Sequence, residues 1–296
     1  MKNIILRSIS GSVYVALIVC AILFGSFWGF PALMCVFVAA GIFEFQKMTL
    51  DDFYESPRIL LVDLIIGISL PALVVAYIDP VLQALLLMFM SCMLILRFVA
   101  QLYSHSKNPV RHIGVSILSI IYVAVPLTIA SVIGVNSPQM TIASVIGVNS
   151  PKILLLMFVM VWLNDTGAFL VGSAIGSHRL FERLSPKKSW EGFFGGLAFS
   201  IAAGYIAKAL FPDAFYGLSG NMLGLMGAVV SVMSTWGDLF ESMIKRHSGV
   251  KDSGSIIPGH GGILDRIDSL LFVAPALMLF LAIVALLESV CFIPAV

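Results

Sequence analysis

Charge is what this chain has least of. Only 11% of its 296 residues are Asp, Glu, Lys or Arg, against 59% hydrophobic residues, whereas an ordinary soluble domain carries about 25% charged residues. That scarcity, together with a mean hydropathy of +1.04, excludes a soluble globular domain. Cysteine is scarce as well. Cys20, Cys35, Cys92 and Cys291 lie in apolar runs or at their ends and form no CxxC pair, which excludes a zinc site and a disulfide framework and leaves buried, inert thiols. No GxxxxGK[ST] occurs, so a P-loop ATPase is excluded. With a net charge of +1, bulk electrostatics points to no partner, and no nucleic-acid partner is expected.

Long apolar runs fill the chain instead. Runs of about 20 residues recur along its length, enough to cross about 30 Å of hydrocarbon as helix, and none alternates as a barrel strand does. The sequence therefore predicts an all-α, polytopic integral membrane protein with about nine transmembrane helices. The expected spans are 10–28, 30–48, 59–78, 80–101, 112–135, 152–175, 192–211, 221–240 and 269–290. The first follows Lys2 and Arg7 and lacks a small-residue cleavage site, so it reads as a retained helix rather than a signal peptide.

The cations are distributed unevenly. With nine spans, Lys2, Arg7, Lys47, Arg58, Arg97, Lys107, Arg111, Arg179, Arg183, Lys187, Lys188, Lys245, Arg246, Lys251 and Arg266 all fall on one side, and only Lys152 and Lys208 on the other. The positive-inside rule then puts the N-terminus and both long charged loops in the cytoplasm and the C-terminus outside. Residues 1–151 read as apolar helices serving scaffold, lipid or oligomer contacts, and 152–296 as the catalytic region, with function concentrated in 152–275. Near the cytoplasmic ends of their spans, Glu44, Asp63 and Arg97 are explained by snorkelling or local pairing. The segment TIASVIGVNSP occurs at 128–138 and again at 141–151. The second copy is too short to span and is expected to extend an external loop. Small-xxx-small pairs at Gly25/Gly29, Gly172/Gly176, Gly192/Gly196 and Gly220/Gly224 permit close helix packing.

Most of the chemistry is concentrated between Ser242 and Asp268, SMIKRHSGVKDSGSIIPGHGGILDRID. Asp265 and Asp268, three apart at the entry to the last helix, share a face, and Asp238 at the end of the preceding helix can approach them. Three carboxylates without a Cys or His cluster suit a hard cation such as Mg²⁺. The alternative, that Asp265 and Asp268 merely cap a helix, leaves Asp238 in its apolar helix unexplained. Glycines 259, 261 and 262 beside Lys245, Arg246, Lys251 and Arg266 form a plausible phosphate cradle. In a second cytoplasmic loop, SPKKSWEG, Lys187 and Lys188 can grip a triphosphate, while Trp190 can stack on a base or sit at the membrane interface. Asp165, within Asn164-Asp165-Thr166 of an apolar span, is a functional-site candidate because an intramembrane carboxylate is costly.

These residues carry a resemblance. Ser242-x-Ile244-Lys245-Arg246, Lys251-Asp252-x-Gly254, Ile257-Pro258-x-His260-Gly261-Gly262 and Asp265-Arg266-Ile267-Asp268 look like the signature of the phosphatidate cytidylyltransferases, the CDP-diacylglycerol synthases. SPKKSWEG and Asn164-Asp165-Thr166-Gly167 are similar to that family too, with Ser189 where threonine is more usual. The resemblance is confined to the C-terminal half.

It implies a reaction of CTP with phosphatidate that gives CDP-diacylglycerol and pyrophosphate and requires Mg²⁺, with a monovalent cation such as K⁺ associated with the metal centre in relatives. It also implies a homodimer in the bacterial cytoplasmic (inner) membrane. The metal centre would use Asp238, Asp265 and Asp268. Asp165, Lys187 and Lys188 would serve CTP, and Lys245, Arg246, Lys251 and Arg266 the lipid phosphate or the leaving pyrophosphate. Ser242 and His260 are members of the motif. Two alternatives stand beside this reading. A CTP-dependent lipid kinase, or cytidylyl transfer to another lipid phosphate, would use a similar nucleotide and metal. A transporter would instead spread polar residues through its helices and show internal repeat symmetry.

Overall fold

The computed structural model describes the backbone of residues 2–51, 53, 57–76, 79–104, 106–135, 150–257, 259 and 261–291, and the side chains of all of these except 2–8, 150 and 288–291. The second copy of the tandem segment therefore lies almost wholly outside the described residues, as do Pro258 and His260. Among the described residues the helices are α1 (Lys2–Leu23), α2 (Ser26–Thr49), α3 (Pro57–Ala76), α4 (Pro80–Leu102), α5 (Pro109–Gly134), α6 (Ser150–Ile175), α7 (Trp190–Leu210), α8 (Gly220–His247) and α9 (Leu264–Cys291). Eight of them are long and apolar enough to cross a membrane, and α1 contributes a shorter apolar stretch, Ile9–Leu23. The chain is an all-α polytopic membrane protein, as its hydropathy predicts.

Local signals set the boundaries. Asp79 caps α4 by accepting from Val81 N at 2.8 Å, ahead of Pro80 in the first turn, and Asn108 caps α5 in the same way before Pro109. At residues 120–124, α5 widens into a π-turn. Pro126 supplies no N–H to the carbonyl of Tyr122, and Val125 N donates to Ile120 O instead. Gly25 lets α1 turn into α2, because a Cβ there would lie 2.6 Å from Gly29 Cα.

Two compact units emerge, and they divide the chain differently from a simple halving. One comprises Met1–Ser131 with Ile244–Ile267, the other Val132–Met243 with Asp268–Val296. The first is packed around α2, whose Met34, Val38, Ile42 and Phe45 are fully buried along one face, and it includes most of the charged segment that follows α8. Helix α4 turns an apolar surface outward; its only buried side chains are Arg97 and Gln101. Arg97 donates from Nε to Asp63 Oδ1 (2.8 Å), from one terminal nitrogen to Gln101 Oε1 (3.0 Å) and from the other to Ser116 Oγ (2.7 Å). Gln46 Nε2 donates to Asp63 Oδ2 at 2.9 Å. Four helices are thereby joined through one buried ionic network. Arg97 and Asp63 neither snorkel nor pair locally: they pair with each other across 34 residues, in the interior.

The second unit is built on α6 and α7. Glycines bring these helices close: a Cβ on Gly196 would lie 2.6 Å from Asn164 Oδ1, and one on Gly172 would lie 3.4 Å from Gly192 Cα. Between them the loop folds into an antiparallel hairpin, β1 (Arg179–Phe181) with β2 (Ser185–Ser189). The sequence did not predict this hairpin. It also ended the eighth span at 240, whereas α8 runs on to His247 and carries Lys245, Arg246 and His247 in its last turn. Cations at a helix C-terminus are favoured by its dipole, so the charged run extends the helix instead of ending it.

Candidate active site

Within the second unit, Asp238 and Glu241 lie three residues apart on α8 and so share a face. Asp268 on α9 joins them, and one carboxylate oxygen from each lies within 4.8 Å of the others. Glu241 is fully buried, and Asp238 and Asp268 are partly so. Three carboxylates this close repel one another. Their oxygen-only donor set fits a hard divalent cation, whose charge offsets that repulsion. Ser242 Oγ donates to Asp238 Oδ1 at 3.3 Å, one turn along the helix.

Asp238 also belongs to the wall of a cavity of about 430 Å³ in the same unit. Its polar lining is Asn164, Asp165, Ser173, Lys187, Lys188, Ser189, Ser234 and Thr235, and its apolar lining includes Phe169 and Phe193. Lys188 Nζ lies 2.5 Å from Asp238 Oδ2, which ties the cationic wall directly to the carboxylate cluster. Asn164 is buried and oriented by Ser231 Oγ, which donates to its Oδ1 at 2.6 Å.

The hairpin presents the two lysines because its base is fixed. Ser189 caps α7, accepting from Gly192 N at 3.1 Å, while Trp190 N donates to His178 O at 2.9 Å. Glu191 accepts from Ser177 Oγ at 2.9 Å and from His178 N at 3.2 Å, and its Oε1 lies 2.6 Å from His178 Nδ1. Each residue of Ser189-Trp190-Glu191-Gly192 thus has a local reason to be there. Trp190 packs on Phe193 and Phe194 and is not part of the cavity lining, whose rings are those of Phe169 and Phe193.

The remaining predicted residues lie in the first unit. Lys245 Nζ donates to Asp265 Oδ1 at 2.7 Å, both side chains being largely buried. Asp265 Oδ2 accepts from Gly262 N (2.8 Å) and Ser253 N (2.9 Å). The carboxylate of Asp265 is thus engaged in holding the loop that leads into α9, and it is not in the three-carboxylate group. Arg246, Lys251 and Arg266 are exposed. Arg246 donates to Val250 O at 3.2 Å, and the carbonyl of Arg266 accepts from Tyr14 OH at 2.9 Å. His260 lies outside the described residues. The sequence reading missed Glu241, although a second acid three residues after Asp238 in an apolar helix is a legible sign of a shared face. It also underrated Glu44, whose carboxylate meets the loop before α9.

Within the second unit of this membrane-embedded helical protein, an oxygen-only carboxylate cluster thus adjoins a cationic cavity lined partly by aromatic rings. The chain belongs to the cytidylyltransferase family, whose profile matches residues 5–284. It is 48% identical over 128 residues to the phosphatidate cytidylyltransferase of Staphylococcus epidermidis, covering 43% of this chain and 48% of that protein. The namesake from Staphylococcus haemolyticus gives the same figures. That from Staphylococcus aureus is 48% identical over 130 residues, again 43% of this chain and 48% of the relative. The matched region thus spans about half the length of these relatives.

Proposed function

We propose that this chain transfers the cytidylyl group of CTP to phosphatidate, giving CDP-diacylglycerol and pyrophosphate. The observation that carries this reading is the position of Asp238, which is at once a member of the carboxylate cluster and part of the wall of the cavity lined by Lys187 and Lys188. A triphosphate gripped by those lysines would have its phosphates beside the ion. The family membership and the printed names of the relatives point the same way.

In this reading Asp238, Glu241 and Asp268 would hold Mg²⁺. The ion would neutralise charge and align the reacting groups, the obstacle that any meeting of two polyanions presents. A phosphatidate phosphate oxygen forms the new bond to the α-phosphorus of CTP as the bond from that phosphorus to the bridging oxygen of pyrophosphate breaks. Phosphate monoesters lose their second proton near pH 6, so at neutral pH the nucleophile is already ionised and no general base is required. Lys187 and Lys188 would neutralise the triphosphate, and Asp165 and Asn164 would meet the nucleoside. The roles of Lys245, Arg246, Lys251 and Arg266, to hold the lipid phosphate or the departing pyrophosphate, rest on the resemblance to the family signature alone.

The cation distribution supports a site at the cytoplasmic face of the cytoplasmic membrane, where soluble CTP meets a lipid headgroup whose tails stay in the bilayer. A homodimer is part of the same proposal and rests on the resemblance alone. The test follows a label in the α-phosphate of CTP. Label that enters the lipid fraction in a phosphatidate-dependent way supports cytidylyl transfer. Lipid labelled only from the γ-phosphate would make the protein a lipid kinase and overturn the proposal.

A further inference from the structure

Glu44 stands in α2, about 200 residues before the charged segment in sequence, and is 1% exposed. A carboxylate buried in a membrane-spanning helix is costly without dedicated partners. Among the described residues its hydrogen-bond partners lie in the loop before α9 and at the first residue of that helix. Oε1 accepts from Ile263 N at 3.1 Å and Oε2 accepts from Leu264 N at 2.9 Å, while Ser253 Oγ lies 3.1 Å from Oε2. The two amides belong to the group of donors that a helix start leaves unsatisfied, and a carboxylate there is also favoured by the helix dipole. The fit is tight. A Cβ on Gly254 would run into Glu44 Oε1, and one on Gly262 into both Ser253 Oγ and Glu44 Oε2.

The loop is therefore clamped at both ends by a single side chain, at Ser253 and at Ile263–Leu264. Lys251 lies just before the clamp and Arg266 just after it, and both are exposed. Resting on the function proposed above, we infer that Glu44 is a positioning residue for the lipid-phosphate subsite: it fixes the loop that carries Lys251 and Arg266 and has no contact with substrate itself. A purely packing role would be met as well by an apolar side chain, because replacing buried charge with well-packed apolar residues is often neutral.

The test is the kinetics of Glu44→Gln in detergent micelles, with phosphatidate and CTP varied separately. The amide keeps the size of the side chain but turns an NH₂ donor towards donors. The expected result is a KM for phosphatidate raised by about tenfold or more with the KM for CTP within about twofold, because Lys187 and Lys188 are not on this loop. A fall in kcat with both KM values unchanged, or no change at all, overturns the inference. Where Glu44→Gln loses its melting transition, Ser253→Ala carries the test, with an expected rise of about threefold in the KM for phosphatidate alone; an unchanged KM there overturns it. Absence of phosphatidate-dependent pyrophosphate release from the wild type would instead sink the proposed function, so the two failures are distinguishable.

Discussion

Glu241 is a fully buried acid with a carboxylate oxygen within 4.8 Å of those of Asp238 and Asp268, so its charge is repelled by theirs. Activity and stability should consequently move in opposite directions on Glu241→Gln. Turnover should fall by more than the ~10–100-fold that supporting partners of a metal site typically cost. In the presence of a chelator the melting temperature should rise, because one repelling charge has been removed. Melting curves in detergent, with and without Mg²⁺, check both. A variant destabilised in chelator would contradict the repulsion argument. Asp238 and Asp268 were legible in the sequence because intramembrane carboxylates are rarely idle. Glu241 was missed because the eighth span was ended at 240, and the structure extends that helix through His247. Asp265 shows the converse: its spacing from Asp268 was legible, but its salt bridge to Lys245 and its bonds to Gly262 and Ser253 depend on a loop conformation that spacing does not encode.

At the scale of elements, the helices were readable because apolar length alone specifies a spanning segment, and all nine expected spans correspond to helices. The β-hairpin was not readable, since Arg179–Phe181 and Ser185–Ser189 are too short to show alternation. The bonds among Ser177, His178 and Glu191 at its base are what hold it. Its lysines give a kinetic prediction: Lys188→Ala should raise the KM for CTP about tenfold while leaving that for phosphatidate nearly unchanged. The Gly192/Gly196 spacing, a weak signal in a chain with 25 glycines, turns out to mark a true contact. Gly196→Ala would force a methyl against Asn164 Oδ1 and the backbone oxygen of Asn164, 2.6 and 2.7 Å from the ideal Cβ. It should destabilise the protein by about 1–3 kcal/mol, seen as a lower melting temperature. An unchanged melting temperature would mean that α6 and α7 are less closely apposed.

For the molecule as a whole, the N-terminal helices make contacts far along the chain: through Glu44 they hold the loop of the signature, and through Arg97, Asp63, Gln46 and Ser116 they hold one another. Such long-range pairings are invisible to spacing rules, because nothing local to Arg97 names Asp63 as its partner. Arg97→Ala should cost about 3–5 kcal/mol, the usual penalty for stranding one member of a buried ion pair, measurable as loss of the folded fraction in a denaturant series. The central claim, that a carboxylate-held ion beside a cationic cavity drives cytidylyl transfer to a lipid phosphate, is tested most directly by pyrophosphate release. The purified chain in detergent, given CTP, Mg²⁺ and phosphatidate, should release pyrophosphate only when all three are present, and Asp268→Asn should abolish that release while remaining folded. Release that persists in Asp268→Asn, or that proceeds without phosphatidate, would contradict the account.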